Sequence, residues 1–355
     1  MESWRNTIFV GDCLQAVKGL AKEHAGRFKL IYLDPPFFTD TDYSIKTKTG
    51  NSEKRAPLLS ERSTYTDKWE GGLKQYLAFL EERLAAMKCL VSDDGSIWLH
   101  LDWHVSHYAK VLMDELFGYD NFVNEIVWRR TNSPKAQSKG FGTQHDMILL
   151  YAKDSSLFRA RPVYRQHDSK SVTPYRYKDE KGRFRLIEIE AQGIQRSEDR
   201  KQFEWRGRTA PYLYKKETLD EWWSRDLIYR SKNGRYSKKQ YLDDVPGVVV
   251  SDLWLDIPPL QGSSPEYTGF ITQKPESLLK RIIESASERG DLVADFFAGT
   301  GTTAVAAERA GRKWAICDSS ETAIDIASKR LSDLGSDFRV IRSEAETREA
   351  FLRAS

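Results

Sequence analysis

The stretch IYLDPPFF, residues 31–38, ends an apolar run on the carboxylate of Asp34 and follows it with Pro35, Pro36, Phe37 and Phe38. The prolines have no N–H and push the preceding residue out of helical geometry, so the strand stops at once and a carboxylate is held in front of a stiff turn. A second stretch can hold a ligand. In DLVADFFAGTGTTAVAAERAGRKWAICDSS a strand leads into FAGTG, and a helix begins at the following threonines, so backbone N–H groups at a helix N-terminus can face a bound group. Gly299 and Gly301 allow a tight turn, and Asp318 ends the next strand 17 residues after Gly301, about where a ribose-binding carboxylate sits in nucleotide-type folds. A tight structural turn would account for the glycines alone. Two details favour a ligand: the missing third glycine suits a dinucleotide pyrophosphate poorly, and Asp295 would repel phosphate but attract a cation. S-adenosylmethionine, with its sulfonium and α-ammonium groups, satisfies that charge.

Taken with their order along the chain, these segments resemble the permuted β class of amino-group DNA methyltransferases. LDPPFF resembles that family's D-P-P-Y/F motif, DFFAGTGTT its D-P-F-A-G-S-G-T-T loop, and TQKPESLLKRII its T-x-K-P segment. GDCL and DGSIWLHLDWH match as well, and the resemblance covers nearly everything outside about 131–245. It implies an α/β, Rossmann-like S-adenosylmethionine-dependent fold, circularly permuted, that methylates adenine N6 in double-stranded DNA by base flipping and direct in-line transfer. Asp34 and the Pro35 carbonyl would accept the two amine hydrogens, Pro35 and Pro36 would keep the turn rigid with carbonyls free to face the base, and Phe37 would stack on it. The resemblance assigns the methionine moiety to Asp295, Phe297, Gly299, Thr300, Gly301 and Thr302, with Thr272 and Lys274 close by, the ribose to Asp318 and the adenine edge to Asp12. GD before a helix is also an ordinary N-cap. Phe38 stands where the family often has asparagine, Phe296 replaces proline and Thr300 replaces serine. Cytosine-N4 methylation on the same scaffold is the alternative activity; members with it usually carry serine where this chain has Asp34. A modification subunit dependent on a restriction partner is the other alternative.

These residues need elements to position them. TIFVGD, FKLIYLD, GSIWLHLD, NFVNEIVWRR and DMILLYAK read as strands, alternating with the amphipathic patterns CLQAVKGLAKEH, LKQYLAFLEERLAAMKCLV and HYAKVLMDELFG. That alternation predicts a doubly wound, mostly parallel sheet. Between 131 and 250 short strands, polar turns and charged helical stretches replace it, and from 251 it resumes with PESLLKRIIESASERG, DLVADFF, TTAVAAERAG and KWAICD. The expected organisation is therefore a catalytic domain from 1–130 and 251–355, interrupted by a target-recognition region at 131–250.

Charge supports the division. The net charge is only +3, yet Arg129 through Lys239 carries 27 Lys or Arg against 14 Asp or Glu, with many Tyr and Trp residues between them. Alone, this would read as a solvated surface; beside the motifs it suits phosphates and unstacked bases. No apolar run suggests a membrane span and the N-terminal residues do not read as a secretion signal, so a cytoplasmic location is expected. Cys13, Cys89 and Cys317 are widely spaced and expected to be reduced core thiols. His100, His104 and His107 would share one helical face if a helix began that early, but the resemblance puts His100 at a strand end, and no metal is expected. The chain has no Pro-Cys pair of the C5-cytosine type. A homodimer and a cognate restriction enzyme are compatible partners.

Overall fold

The structure is a computed structural model that describes residues 4–49, 58–132, 140–191 and 202–342, giving the backbone alone for 42–49 and 58–66. Strand β1 (Asn6–Val10) leads into α1 (Cys13–His24), which buries Leu14, Val17 and Leu20 on one face. β2 (Phe28–Leu33) follows, with Leu30 to Leu33 all buried, as expected for a strand covered on both faces. β3 (Asp42–Thr49) and β4 (Leu58–Thr66) form an antiparallel pair of their own. Helix α2 (Gly72–Lys88) buries Tyr76, Leu80, Leu84 and Met87 at the spacing of one helical stripe. β5 (Val91–Leu101), α3 (Ser106–Phe117), β6 (Phe122–Arg129) and β7 (His145–Ala152) complete the first stretch.

The chain divides into two compact units, 1–163 with 251–355, and 164–250. The second contains β8 (Tyr164–Arg165), α4 (Ser169–Val172), β9 (Tyr177–Asp179), β10 (Gly182–Glu188), β11 (Phe203–Trp205), β12 (Arg208–Ala210), α5 (Lys216–Ser224), β13 (Ile228–Arg230), β14 (Tyr236–Tyr241) and β15 (Val248–Val249). Its main sheet is antiparallel, in the order β13-β14-β10-β9. A small core of Ile189, Trp205, Tyr212, Leu219, Ile228 and Tyr236 holds it together. Arg208 binds both oxygens of the buried Glu190 at 2.7 and 2.9 Å, a bidentate pair that ties the β11–β12 hairpin to the residues after β10.

The first unit resumes with β16 (Leu253–Trp254), α6 (Glu276–Ala286), β17 (Leu292–Asp295), α7 (Thr302–Arg309), β18 (Lys313–Asp318), α8 (Glu321–Asp333) and β19 (Phe338–Ile341). Its nine-stranded sheet runs β16-β6-β7-β5-β2-β17-β18-β1-β19, so β17 and β18, from late in the chain, lie between the first two strands. This is a mostly parallel, Rossmann-like α/β sheet. From β2 the chain moves on to β5, and from β17 to β18, in opposite directions along the sheet. The C-terminal ends of β2 and β17 therefore flank the crevice where open α/β sheets take their ligands.

Two expectations are corrected. β7, the antiparallel member of the expected mostly parallel sheet, pairs with both β5 and β6. It belongs to the large sheet, which moves the boundary of the inserted unit from 130/131 to 163/164. Cys13 and Cys317 are buried, but Cys89 is exposed. It caps the C-terminus of α2 between Met87 and Leu90, which take the buried positions there.

Candidate active site

Asp34 directly follows β2, where Pro35 and Pro36 end the strand by withdrawing their donors. Its Oδ2 accepts from Lys274 Nζ at 2.5 Å, whereas its Oδ1 is buried and has no hydrogen-bond partner among the described residues. The turn behind it is held from below. The buried Tyr76 of α2 donates its hydroxyl to the Pro36 carbonyl at 2.8 Å. The expectation that both prolines leave their carbonyls to a ligand is thus corrected for Pro36, while no described residue donates to the Pro35 carbonyl.

Phe38 has φ +61°, a left-handed conformation uncommon for any residue but glycine and asparagine. Asp67 fixes it there. Its Oδ1 accepts from the Phe38 N–H at 3.0 Å and from Trp69 Nε1 at 3.0 Å, and its Oδ2 from the Thr39 N–H at 2.7 Å and Thr39 Oγ1 at 2.8 Å. A left-handed backbone suits asparagine better than phenylalanine; Phe38 packs its ring 5.8 Å from that of Tyr76. Phe37 packs 5.8 Å from the imidazole of His100, which bridges Tyr32 Oη at 2.7 Å and Asp146 Oδ2 at 3.2 Å.

Across the crevice Asp295 ends β17. Its carboxylate accepts from the Phe297 N–H at 3.0 Å and from Thr303 Oγ1 at 2.5 Å, and burial raises its pKa to about 7 despite those bonds. Gly299 and Gly301 have φ +51° and +75°, and α7 begins directly after them. Asp318, at the end of β18, accepts from the Gly299 N–H at 2.7 Å and the Ser320 N–H at 2.9 Å, and its pKa too is raised by burial. Arg330 fastens the outside of the same turn by donating to the Thr300 carbonyl at 2.7 Å.

One pocket collects these groups. Asp12, Asp34, Pro35, Pro36, Phe37, Thr272, Lys274, Asp295, Phe297, Gly299, Thr300, Thr302 and Asp318 all line it. Of the residues assigned to the catalytic turn or the cofactor, Gly301 alone stays off its wall; a Cβ there would meet that of Ala327 at 2.7 Å, so this glycine serves helix packing. Asp12 acts as the N-cap its sequence context allowed, accepting from the Leu14 N–H at 2.8 Å, and its other oxygen pairs with Arg83. Arg83 lies 3.7 Å over the Phe79 ring. Sequence reasoning missed Asp67, Tyr76, Arg83 and Thr303; a buried-type spacing on α2 marks Tyr76, but nothing local marks the others. The histidines do not form one helical face: His100 is buried in β5, His104 accompanies Asp102 at 2.8 Å before α3 begins, and His107 is exposed.

A mostly parallel sheet whose switch point gathers a strand-end carboxylate, a glycine turn and two further strand-end acids around one pocket has the arrangement by which open α/β proteins take their ligands. The profile of the DNA methylase family matches residues 28–329, and the chain belongs to that family. It is similar to the Type II methyltransferase M.EcaI of Enterobacter cloacae, 32% identical over 308 residues, which are 86% of this chain and 64% of that protein. It is 26% identical over 321 residues to the Type III restriction-modification enzyme StyLTI Mod subunit of Salmonella typhimurium, covering 84% of this chain and 49% of that one. The Type II methyltransferase M.KpnI of Klebsiella pneumoniae is 26% identical over 356 residues, 86% and 77% of the two chains. The chain thus spans about half to two thirds of the length of the first two relatives.

Proposed function

We propose that the chain is an S-adenosylmethionine-dependent DNA methyltransferase of the permuted β class that modifies adenine at N6. The observation that carries the reading is Asp34 Oδ1, a buried acceptor without a partner among the described residues, at the switch point of the sheet. An unmatched buried acceptor costs about 1–3 kcal/mol, so a place for a substrate donor explains it better than packing does.

The pocket suits the methyl donor by charge. Four carboxylates line it: Arg83 pairs with Asp12 and Lys274 with Asp34, while Asp295 and Asp318 have no cation in ion-pair contact among the described residues. That surplus of negative charge fits a ligand carrying sulfonium and ammonium groups. Gly299 has open space around its absent Cβ, which lets a ligand approach the backbone closely. When bound, S-adenosylmethionine supplies an electrophilic methyl group. Asp34 Oδ1 and the Pro35 carbonyl accept the two hydrogens of the exocyclic amine, whose lone pair is otherwise delocalised into the ring, and so aim that lone pair at the methyl carbon. Phe37 offers its face to the flipped base. Asp34 in place of serine favours adenine over cytosine.

The basic unit 164–250 is assigned to recognition of double-stranded DNA. Arg206 lies 4.2 Å over the exposed Trp223, and Lys238 lies 4.0 Å over Trp222, combining cations with aromatic faces as nucleic-acid surfaces do. A cognate restriction enzyme is the partner suggested by the restriction-modification names among the relatives. The test is to express the chain in a host lacking DNA methylation and map modified bases by single-molecule sequencing. N6-methyladenine within one sequence motif is expected; N4-methylcytosine, or no modified motif, would overturn the reading.

A further inference from the structure

Lys274 belongs to the T-x-K-P segment, and the resemblance places it near the methyl donor. Its contacts in the pocket point elsewhere. Nζ donates to Asp34 Oδ2 at 2.5 Å and to the Thr272 carbonyl at 3.3 Å, and it lies 5.1 Å from the centre of the Phe37 ring. Both members of the ion pair are well covered, with 13% of the lysine and 16% of the aspartate side chain exposed. Geometry and charge therefore tie this lysine to the carboxylate and aromatic ring of the DPPF turn.

We infer that Lys274 is the positioning residue of Asp34: by occupying Oδ2 it fixes the rotation of the carboxylate and reserves Oδ1 as the one carboxylate oxygen offered to the target amine, beside the Pro35 carbonyl. The inference rests on the methyltransferase reading and deepens it. A carboxylate with both oxygens free can rotate about its Cβ–Cγ bond and offer a donor either oxygen, in more than one plane. With Oδ2 held by an ammonium, the remaining buried oxygen has one direction, which is the condition for a directed hydrogen bond to a poor nucleophile. The lysine is itself held in place. Pro275 follows it and restricts its backbone to extended geometry, and the Pro275 backbone is extended in turn at φ −67° and ψ 141°, where it caps the N-terminus of α6. The ammonium thus enters the pocket from the rigid start of a helix that buries Leu278, Leu279, Ile282 and Ile283. In these terms the proline of the segment pre-sets the lysine, the lysine pre-sets the carboxylate, and the carboxylate orients the amine.

The test uses the full chain, an oligonucleotide bearing the mapped motif, and Lys274→Met beside Lys274→Arg. Calorimetry with S-adenosylhomocysteine reports donor-site affinity, and single-turnover transfer at saturating S-adenosylmethionine reports chemistry. With Lys274→Met, affinity is expected to stay within about threefold while the transfer rate falls by about 100-fold, the loss typical of a misaimed reacting group. Lys274→Arg, which keeps a cation for Oδ2, is expected to recover at least about tenfold of that loss. Two results would overturn the inference: an unchanged transfer rate in Lys274→Met, or a loss of affinity that accounts for the whole defect, which would make Lys274 a donor-binding group. Failure of the underlying reading looks different, since the unaltered protein would then neither bind S-adenosylhomocysteine nor methylate DNA.

Discussion

Asp295 is held at a pKa of about 7 by burial, well above the ordinary aspartate value, although Thr303 and the Phe297 N–H both favour its charged form. Without a bound cation, the stabilisation that this raised value contributes is present at low pH and is lost as pH rises through about 7. A cationic ligand reverses the preference, because it binds the carboxylate rather than the acid. Affinity for S-adenosylmethionine should therefore rise by several-fold from about pH 6 to about pH 8 in the unaltered protein, and that slope should vanish in Asp295→Asn; titration calorimetry across the range is the check. Asp34, Asp295 and the glycines were legible in the sequence because their signals are local: a carboxylate at a strand end, and small residues before a helix. Asp67 was not. It acts on residues 38 and 39 across some 28 positions, and only the folded chain brings that carboxylate to the left-handed turn. Lys274 was legible as a pocket residue, but its partner is 240 residues away and no spacing rule points to it.

Among the elements, the alternation of strand and helix carried well, because buried strands and amphipathic helices differ in period. α1 occupies the segment the pattern marked, Cys13–His24. Direction and pairing were harder. The antiparallel course of β7 has no sequence signature, since side-chain alternation is the same whichever way a strand runs. The turn between β17 and α7 separates two uses of glycine. At Gly301 a Cβ would press on Ala327 of α8 at 2.7 Å, whereas at Gly299 nothing lies within 4 Å. Both have positive φ, so both resist alanine, but Gly301→Ala must also push α8 away from the turn. We expect Gly301→Ala to lower stability by about 1–3 kcal/mol more than Gly299→Ala, measured by urea denaturation. Gly299→Ala should act chiefly on S-adenosylmethionine affinity. Equal stability losses would mean that the α7–α8 contact yields to the extra methyl.

For the whole molecule, charge is unevenly distributed: Arg129 to Lys239 holds a balance of +13 in a chain whose net charge is +3. If unit 164–250 meets DNA, neutralising cations on its surface should reduce counterion release. Arg206→Ala combined with Lys238→Ala should lower affinity at all sequences alike and flatten the plot of log affinity against log salt by about 0.9 for each phosphate that is no longer neutralised. An unchanged slope would count against the recognition role of these two side chains. The composition marked this region, yet which cations lie over which aromatic rings emerges only when hairpin β11–β12 and helix α5 pack together.

The central sheet also has a consequence for synthesis. β2 emerges early and carries Asp34, but its neighbour β17 spans residues 292–295, and Lys274 precedes it by about one helix. Until the ribosome has translated past β18, the first strands lack the partners that lie between them, and the carboxylate at residue 34 lacks the opposite wall of its pocket. Contacts of such long sequence separation form slowly and late. The pocket at the switch point can therefore close only after β18 has been made, because its two walls come from stretches far apart in the sequence.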